Sequence, residues 1–303
     1  MRNDVFKALT FENSAGDRVV IFDEHVANRW EMSGRWGFSA PEIQNITETY
    51  ANGVTKVLKR ILKPRNCGVN LVMKGKTRAQ CDAEFEEMVE ILMDVYGEGE
   101  TGRLYVTRSD GSVVYLNCVY NGGANIKNEY RLFKKFGIEW FGADPYFYRD
   151  LDDIFIEVPP SERLTLHDGL YLGQGHVLGE NSGTGIKTII NQGSGAISPV
   201  MKISRVKGSL TIVNETNGDT IEFEDITIVK GDNLVIDTRE ATKAIYIEHQ
   251  DGTISTAGQY LNWGNIEFDF HLNPGENVIK FTAAERSTTE GMTLQLSERY
   301  LSA

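Results

Sequence analysis

From Pro199 onward the sequence is a succession of short alternating runs divided by turn pairs, and that rhythm constrains the fold more than any other feature. "MKISRV", "SLTIVNE", "TIEFEDITIV", "NLVIDT" and "AIYIEH" place apolar residues at alternate positions. Side chains alternate across a strand, so such runs bury one face and leave the other in water. Asn217-Gly218, Gly231-Asp232 and Asp251-Gly252 punctuate them. Later, "NIEFDFHL" and "NVIKFTA" flank "NPGE", where Pro274 and Gly275 suit the two central positions of a type II turn. Strands recurring about every 8–12 residues, with no helical period between them, predict a β-sandwich.

The first half mixes strands with one helix. "TRAQ" at Thr77–Gln80 has the hydroxyl and the glutamine of a capping box. Cys81, Phe85, Met88, Leu92 and Val95 then recur at spacings of four and three, and Gly97 supplies a stop, which predicts a helix over about 78–96. In "NCGVNLVMK", Cys67, Val69, Leu71 and Met73 share one strand face, and "RLYVTRSDGSVVYLNCVY" reads as a hairpin turning at Asp110-Gly111. "GVTKVLKRILKP" is ambiguous: Val54, Val57, Leu58, Ile61 and Leu62 fit a helical period, while the β-branched content and Pro64 fit an edge strand. The chain is therefore expected to be mainly β, with a β-rich domain carrying one helix over 1–149 and a sandwich over 150–303.

Charge is unevenly placed. The 303 residues carry 31 Lys+Arg and 43 Asp+Glu; residues 1–149 hold 20 of each, leaving 11 against 23, or −12, in residues 150–303. An acidic half repels a phosphate backbone, which argues against specific nucleic-acid binding. The N-terminal residues are charged throughout, so no signal peptide is expected, and no apolar run approaches the roughly 18 residues of a membrane helix. Cys67, Cys81 and Cys118 are odd in number and have no metal spacing, which suits a reducing cytoplasm. From residue 49 to 81 there are eight basic residues and no acidic one. Lys56, Lys59, Arg60, Lys63 and Arg65 make that segment either a solvated face or an arm that docks on an acidic surface.

Catalytic and cofactor motifs are missing. "GQGHVLG" lacks the Lys-Ser/Thr of a phosphate loop, and His167-Asp168 has no serine motif nearby. Asp150, Asp152 and Asp153 do not follow a calcium-loop spacing. Neither an enzyme activity, a metal nor a cofactor is expected. "HLNPG" and "WGNIE" weakly resemble the two sugar-binding motifs of galectins, but both arginines are absent and the order is reversed. A carbohydrate-binding adhesion module, with Trp263 as its platform, is the alternative reading, although a lone Trp in a strand is more often core than platform.

The stretch "FGIEWFGADPYFYRD" sets six rings around an Asp-Pro at the middle of the chain. Phe136, Ile138 and Trp140 share a strand face; Asp144 is held extended by Pro145, which redirects the chain. Trp140, Phe141, Asp144, Pro145, Tyr146, Phe147 and Tyr148 form either a junction that orients the two domains or an ordinary core strand.

With "KPRNCGVNLVMKGKTRAQCDAEFEEMVEILM", "GRLYVTRSDGSVVYLNCVYNGG" and "FGIEWFGADPYFY", and more weakly "NQGSGAISPVMKI", "GDNLVIDT" and "LNPGENVIKF", the chain resembles the distal tail proteins of long-tailed, non-contractile bacteriophages. The resemblance implies an N-terminal domain that forms a hexameric ring with a projecting β-rich arm, and a peripheral galectin-like C-terminal sandwich. It implies a non-enzymatic virion tail component, assembled in the host cytoplasm. Such a hub joins the tail tube protein to tail-tip and receptor-binding proteins.

Overall fold

The computed structural model describes residues 6–24, 30–50, 52–74, 77–93, 101–122, 126–130, 133–157, 183–262, 269–284 and 291–303. The fold is mainly β, with antiparallel sheets and one α-helix among the described residues. Internal packing divides the chain into two compact units, Met1–Arg149 with Arg299–Ala303, and Asp150–Glu298. No helix among the described residues is long and apolar enough to cross a membrane.

Along the first unit and its boundary run β1 (Ala8–Glu12), β2 (Arg18–Asp23), β3 (Trp30–Trp36), β4 (Ile43–Thr49), β5 (Thr55–Leu62), β6 (Arg65–Lys74), α1 (Arg78–Met93), β7 (Gly102–Thr107), β8 (Val113–Gly122), β9 (Ile126–Tyr130), β10 (Phe133–Gly142) and β11 (Phe147–Asp150). All but β4 and β5 join one antiparallel sheet, in the order β2-β1-β7-β8-β10-β6-β3, with β9 beside β10 and β11 beside β8. The alternation in the sequence fixes which face of this sheet is dry. Trp140 pairs with Cys67, Ile138 with Val69 and Phe136 with Leu71, and all six are fully buried.

The helix closes this core. Thr77 accepts the Gln80 backbone N–H on Oγ1 at 3.2 Å, satisfying one orphan donor of the first turn. Cys81, Met88 and Leu92 are buried, and the Phe85 ring meets Phe136 edge-on at 5.0 Å. The described helix ends at Met93; Val95 and Gly97 lie outside the described residues. The β7–β8 hairpin turns where its sequence says, with Gly111 at φ 88° and Asp110 Oδ1 accepting the Ser112 N–H at 2.8 Å.

The second unit holds β12 (Ile154–Glu157), β13 (Gly183–Asn191), β14 (Val200–Ser204), β15 (Lys207–Asn214), β16 (Thr220–Thr227), β17 (Asn233–Asp237), β18 (Ala244–Glu248), β19 (Ile254–Thr256), β20 (Gly275–Ala283) and β21 (Gly291–Gln295). A six-stranded sheet, β12-β21-β14-β17-β18-β19, and a four-stranded one, β13-β20-β15-β16, enclose a single apolar core. Met201, Ile203, Leu234 and Ile236 enter it from the first sheet, and Leu210, Ile212, Phe223 and Phe281 from the second. This is a β-sandwich. Gly275 has φ 98°, the backbone that its place in the "NPGE" turn demands. The last strand, β22 (Ser297–Tyr300), pairs with β11. Arg299–Ala303 then pack with the first unit, where Arg108 donates to the Ser302 carbonyl and the Ala303 N–H to that of Phe38.

Candidate functional site

The ambiguous basic segment is a strand. Among the described residues β5 pairs only with β4, from Ile43↔Leu62 to Thr49↔Thr55, with a bulge between Ile46 and Thr47. The hairpin turns through Asn52-Gly53, where the Tyr50 N–H reaches the Val54 carbonyl at 2.9 Å. Every described residue of β4 and β5 except Leu62 is exposed. Ile43, Ile46, Tyr50, Val54, Val57, Leu58 and Ile61 are therefore apolar side chains in water on a single hairpin. A two-stranded hairpin wet on both faces has little stability of its own, and apolar surface concentrated in this way marks an interaction site. Lys56 lies across from Glu48, and Lys63 bridges to Glu42 at 3.2 Å where the arm begins. Lys59 and Arg60 lie on β5 between them, likewise exposed.

Arg65 stands apart from these cations. It is 3% exposed, the first residue of β6, and its guanidinium donates to four backbone carbonyls. Nε reaches Pro145 at 2.8 Å, Nη1 reaches Gly37 and Ser39 at 2.5 Å each, and Nη2 reaches Leu301 at 2.8 Å. Its face covers the Phe147 ring at 4.7 Å. Burial pushes its pKa below the usual guanidinium value. The planar fork suits this work, since its donors are fixed in directions a lysine ammonium cannot match. Arg65 thus ties down the strand that leads out of the arm. Beside it, Gly37, Pro41, Glu42, Lys63, Pro64 and Phe141 border a recess of about 380 Å³.

The aromatic stretch divides between core and surface of the first unit. Trp140 and Phe147 are fully buried in its core, and Phe147 stacks on Phe38. Asp144 Oδ1 accepts the Tyr146 N–H at 3.0 Å, and its Oδ2 accepts the Tyr148 hydroxyl. Pro145 contributes its carbonyl to Arg65. Tyr148 stacks on Tyr115, and Arg299 lies over both Tyr146 and Tyr148. Burial, with the bond to Asp144 behind it, raises the Tyr148 pKa well above the ordinary phenol value.

The second unit also holds two polar constellations. His249 Nδ1 lies 2.7 Å from Asp232 Oδ2, and its Nε2 lies 2.8 Å from Ser255 Oγ. That is the hydrogen-bond order of a nucleophilic triad. All of β19 is exposed, however, so Ser255 has no water-excluding cleft around it. The chain instead staples β19 to the turn before β17, which Asp232 also holds by accepting the Gln250 N–H at 3.1 Å. The three residues lie on separate elements, so no local motif announces them. In "HLNPG", His271 Nδ1 meets Asp219 at 2.9 Å, and Asn277 caps the Asn273 N–H at 3.0 Å. Both brace a turn. Trp263 lies outside the described residues.

No protein-family model matches the chain, and no curated protein matches it significantly. Solved structures do. The crystal structure of the Dit protein of phage SPP1, described as a paradigm of the hub adsorption apparatus in Gram-positive-infecting phages, superposes with a TM-score of 0.63. The match covers 96% of this chain and 98% of that one, at 11% identity. The chain has the fold of a phage distal tail protein. The phage P2 baseplate in its activated conformation, determined with Ca and again with Sr, supplies two more matches to that fold. Each has a TM-score of 0.52 and 11% identity and covers 96% of this chain and 97% of the baseplate chain. At such identity the likeness extends to both units of the distal-tail fold and to nothing finer.

Proposed function

We propose that this chain is a structural subunit of a phage tail hub, a hexameric ring that joins the tail tube to the tail tip and its receptor-binding proteins. The carrying observation is the end-to-end match to the distal-tail fold, supported by a hairpin arm that exposes seven large apolar side chains. A closed ring is built from heterologous contacts, in which one surface of each subunit meets a different surface of the next. The arm offers one such surface, with apolar residues for area and Lys56, Lys59, Arg60 and Lys63 to steer it onto an acidic neighbour. Asp144, Pro145 and the rings that follow fix the chain's path as it leaves the first unit. Replacing Pro145 and Tyr146 together by alanine should raise interdomain mobility in small-angle scattering, and an unchanged profile removes the orienting role. The hub needs no chemistry of its own.

The native mass of the purified chain, followed by light scattering across concentration, tests the ring. A hexamer appears at about 200 kDa, six times 33.9 kDa. A stable isologous dimer would count most heavily against it, because a two-fold contact uses up the surface that a ring must repeat.

A further inference from the structure

On the outer face of the six-stranded sheet, two rows of side chains line a groove of about 400 Å³. Register builds the rows. Lys202, Val235 and Tyr246 lie side by side across β14, β17 and β18, and Gln295, Val200 and Asp237 form the next row, two residues along. The intervening Met201 and Ile236 point the other way, into the core. All of the lining residues belong to the second unit.

We propose that this groove is a binding site for a neutral saccharide, with Tyr246 as the ring on which a sugar stacks. The half-buried Tyr246 ring, seated beside the buried Val200 and Val235, offers an apolar face that fits the C–H face of a pyranose but is too small for a lipid chain. Hydroxyl groups both donate and accept, so a sugar needs partners of both kinds around its rim. Asp150 and Asp153 supply acceptors, while Lys202, Arg239 and Gln295 supply donors; Asp237, whose two oxygens already accept from Arg239 and Thr242, fixes Arg239 at the rim. These groups are already held in place. Arg239 grips Asp237 through Nε at 2.9 Å and Nη2 at 2.6 Å, Gln295 leans on Asp153 at 3.3 Å, and Ser297 donates to Asp150 at 2.6 Å. Three carboxylates against two cations leave the lining at −1, which disfavours a phosphate-bearing polymer and leaves an uncharged ligand unopposed. The volume lies at the low end of the range for small-ligand sites, about 300–1,000 Å³, room for on the order of two sugar rings.

An open groove of this size binds weakly, with Kd on the order of 1 mM. Several copies on a hub would add avidity, but the site does not depend on the ring and is tested without it. Ligand-observed NMR on the full chain, with glucose, galactose, N-acetylglucosamine, rhamnose and their disaccharides as probes and glycerol phosphate as the anionic competitor, decides. At least one neutral sugar should saturate in the millimolar range. Tyr246→Ala and Gln295→Ala should each weaken it roughly tenfold or more, and Tyr246→Phe, which keeps the ring, should bind as the parent does. Gln295 is exposed, so its variant folds whatever becomes of the tyrosine variant. No saturation by any neutral probe up to about 50 mM, full displacement by glycerol phosphate, or parent-like binding by Gln295→Ala together with a folded Tyr246→Ala each overturns the proposal.

Discussion

A guanidinium withdrawn from water is tolerated only when its N–H groups find acceptors, and Arg65 has four carbonyls within reach. Arg65→Lys keeps the charge but cannot serve four segments from one nitrogen. It should lower unfolding free energy by about 3 kcal/mol, nearly as much as Arg65→Met, seen as an early transition in denaturant melts. If lysine restores the parent midpoint, the fork geometry is irrelevant. Burial pushes the Cys67 thiol up to about 12 and Cys118 well above its ordinary value. Neither should react with an aromatic disulfide reagent at pH 8 until the protein unfolds; prompt labelling of the native chain contradicts this. Burial alone would raise the Asp237 carboxyl, but hydrogen bonds from Arg239 and Thr242 bring it net below the ordinary value. Its folded pKa is thus the lower one, so it stabilises above about pH 4 and loses that contribution as pH falls through the depressed value. Asp237→Asn should narrow the difference in melting temperature between pH 6 and pH 3.

At the scale of elements, two segments were readable to different depths. Helix α1 was legible because its cap and its period agree, and Thr77→Ala should cost about 1 kcal/mol through the lost bond to the Gln80 N–H. The segment 54–62 was not, because five apolar residues at those spacings suit a helix and a twisted edge strand alike. What decided it was a partner strand, β4, paired from Thr49↔Thr55, six residues apart, to Ile43↔Leu62, nineteen apart, which takes up its backbone hydrogen bonds. The basic side chains of this arm are exposed, and in the proposed hub they would face an acidic neighbour. Reversing Lys59, Arg60 and Lys63 to glutamate should lower the oligomeric mass at low salt, with less effect at high salt. Assembly indifferent to the triple reversal would discard the electrostatic role of the arm.

For the molecule as a whole, the sequence determined more of the second unit's strands than of its connections. The runs beginning at Met201, Ser209, Thr220, Asn233 and Ala244 appear as β14 to β18, because alternation reports directly which face of a strand is dry. The turn pairs that divide them hold for the same local reason: only a few residues tolerate the backbone a tight turn requires. The period of Cys67 to Met73 was equally plain, and it placed β6 in the core of the first unit. Everything that joins distant residues was invisible. Strand order, the return of Arg299–Ala303 to the first unit, the Asp232–His249–Ser255 staple and the rows that line the groove all depend on which separate elements end up side by side. Arg65 shows the limit most directly. In the sequence it is one of several cations in a basic run, and only the packing of four separated carbonyls around it sends it inward while Lys59 and Arg60 stay in water. Local propensity and period are written in neighbouring residues; the partner each face finds is a property of the folded chain, where burial and hydrogen-bond satisfaction are settled together.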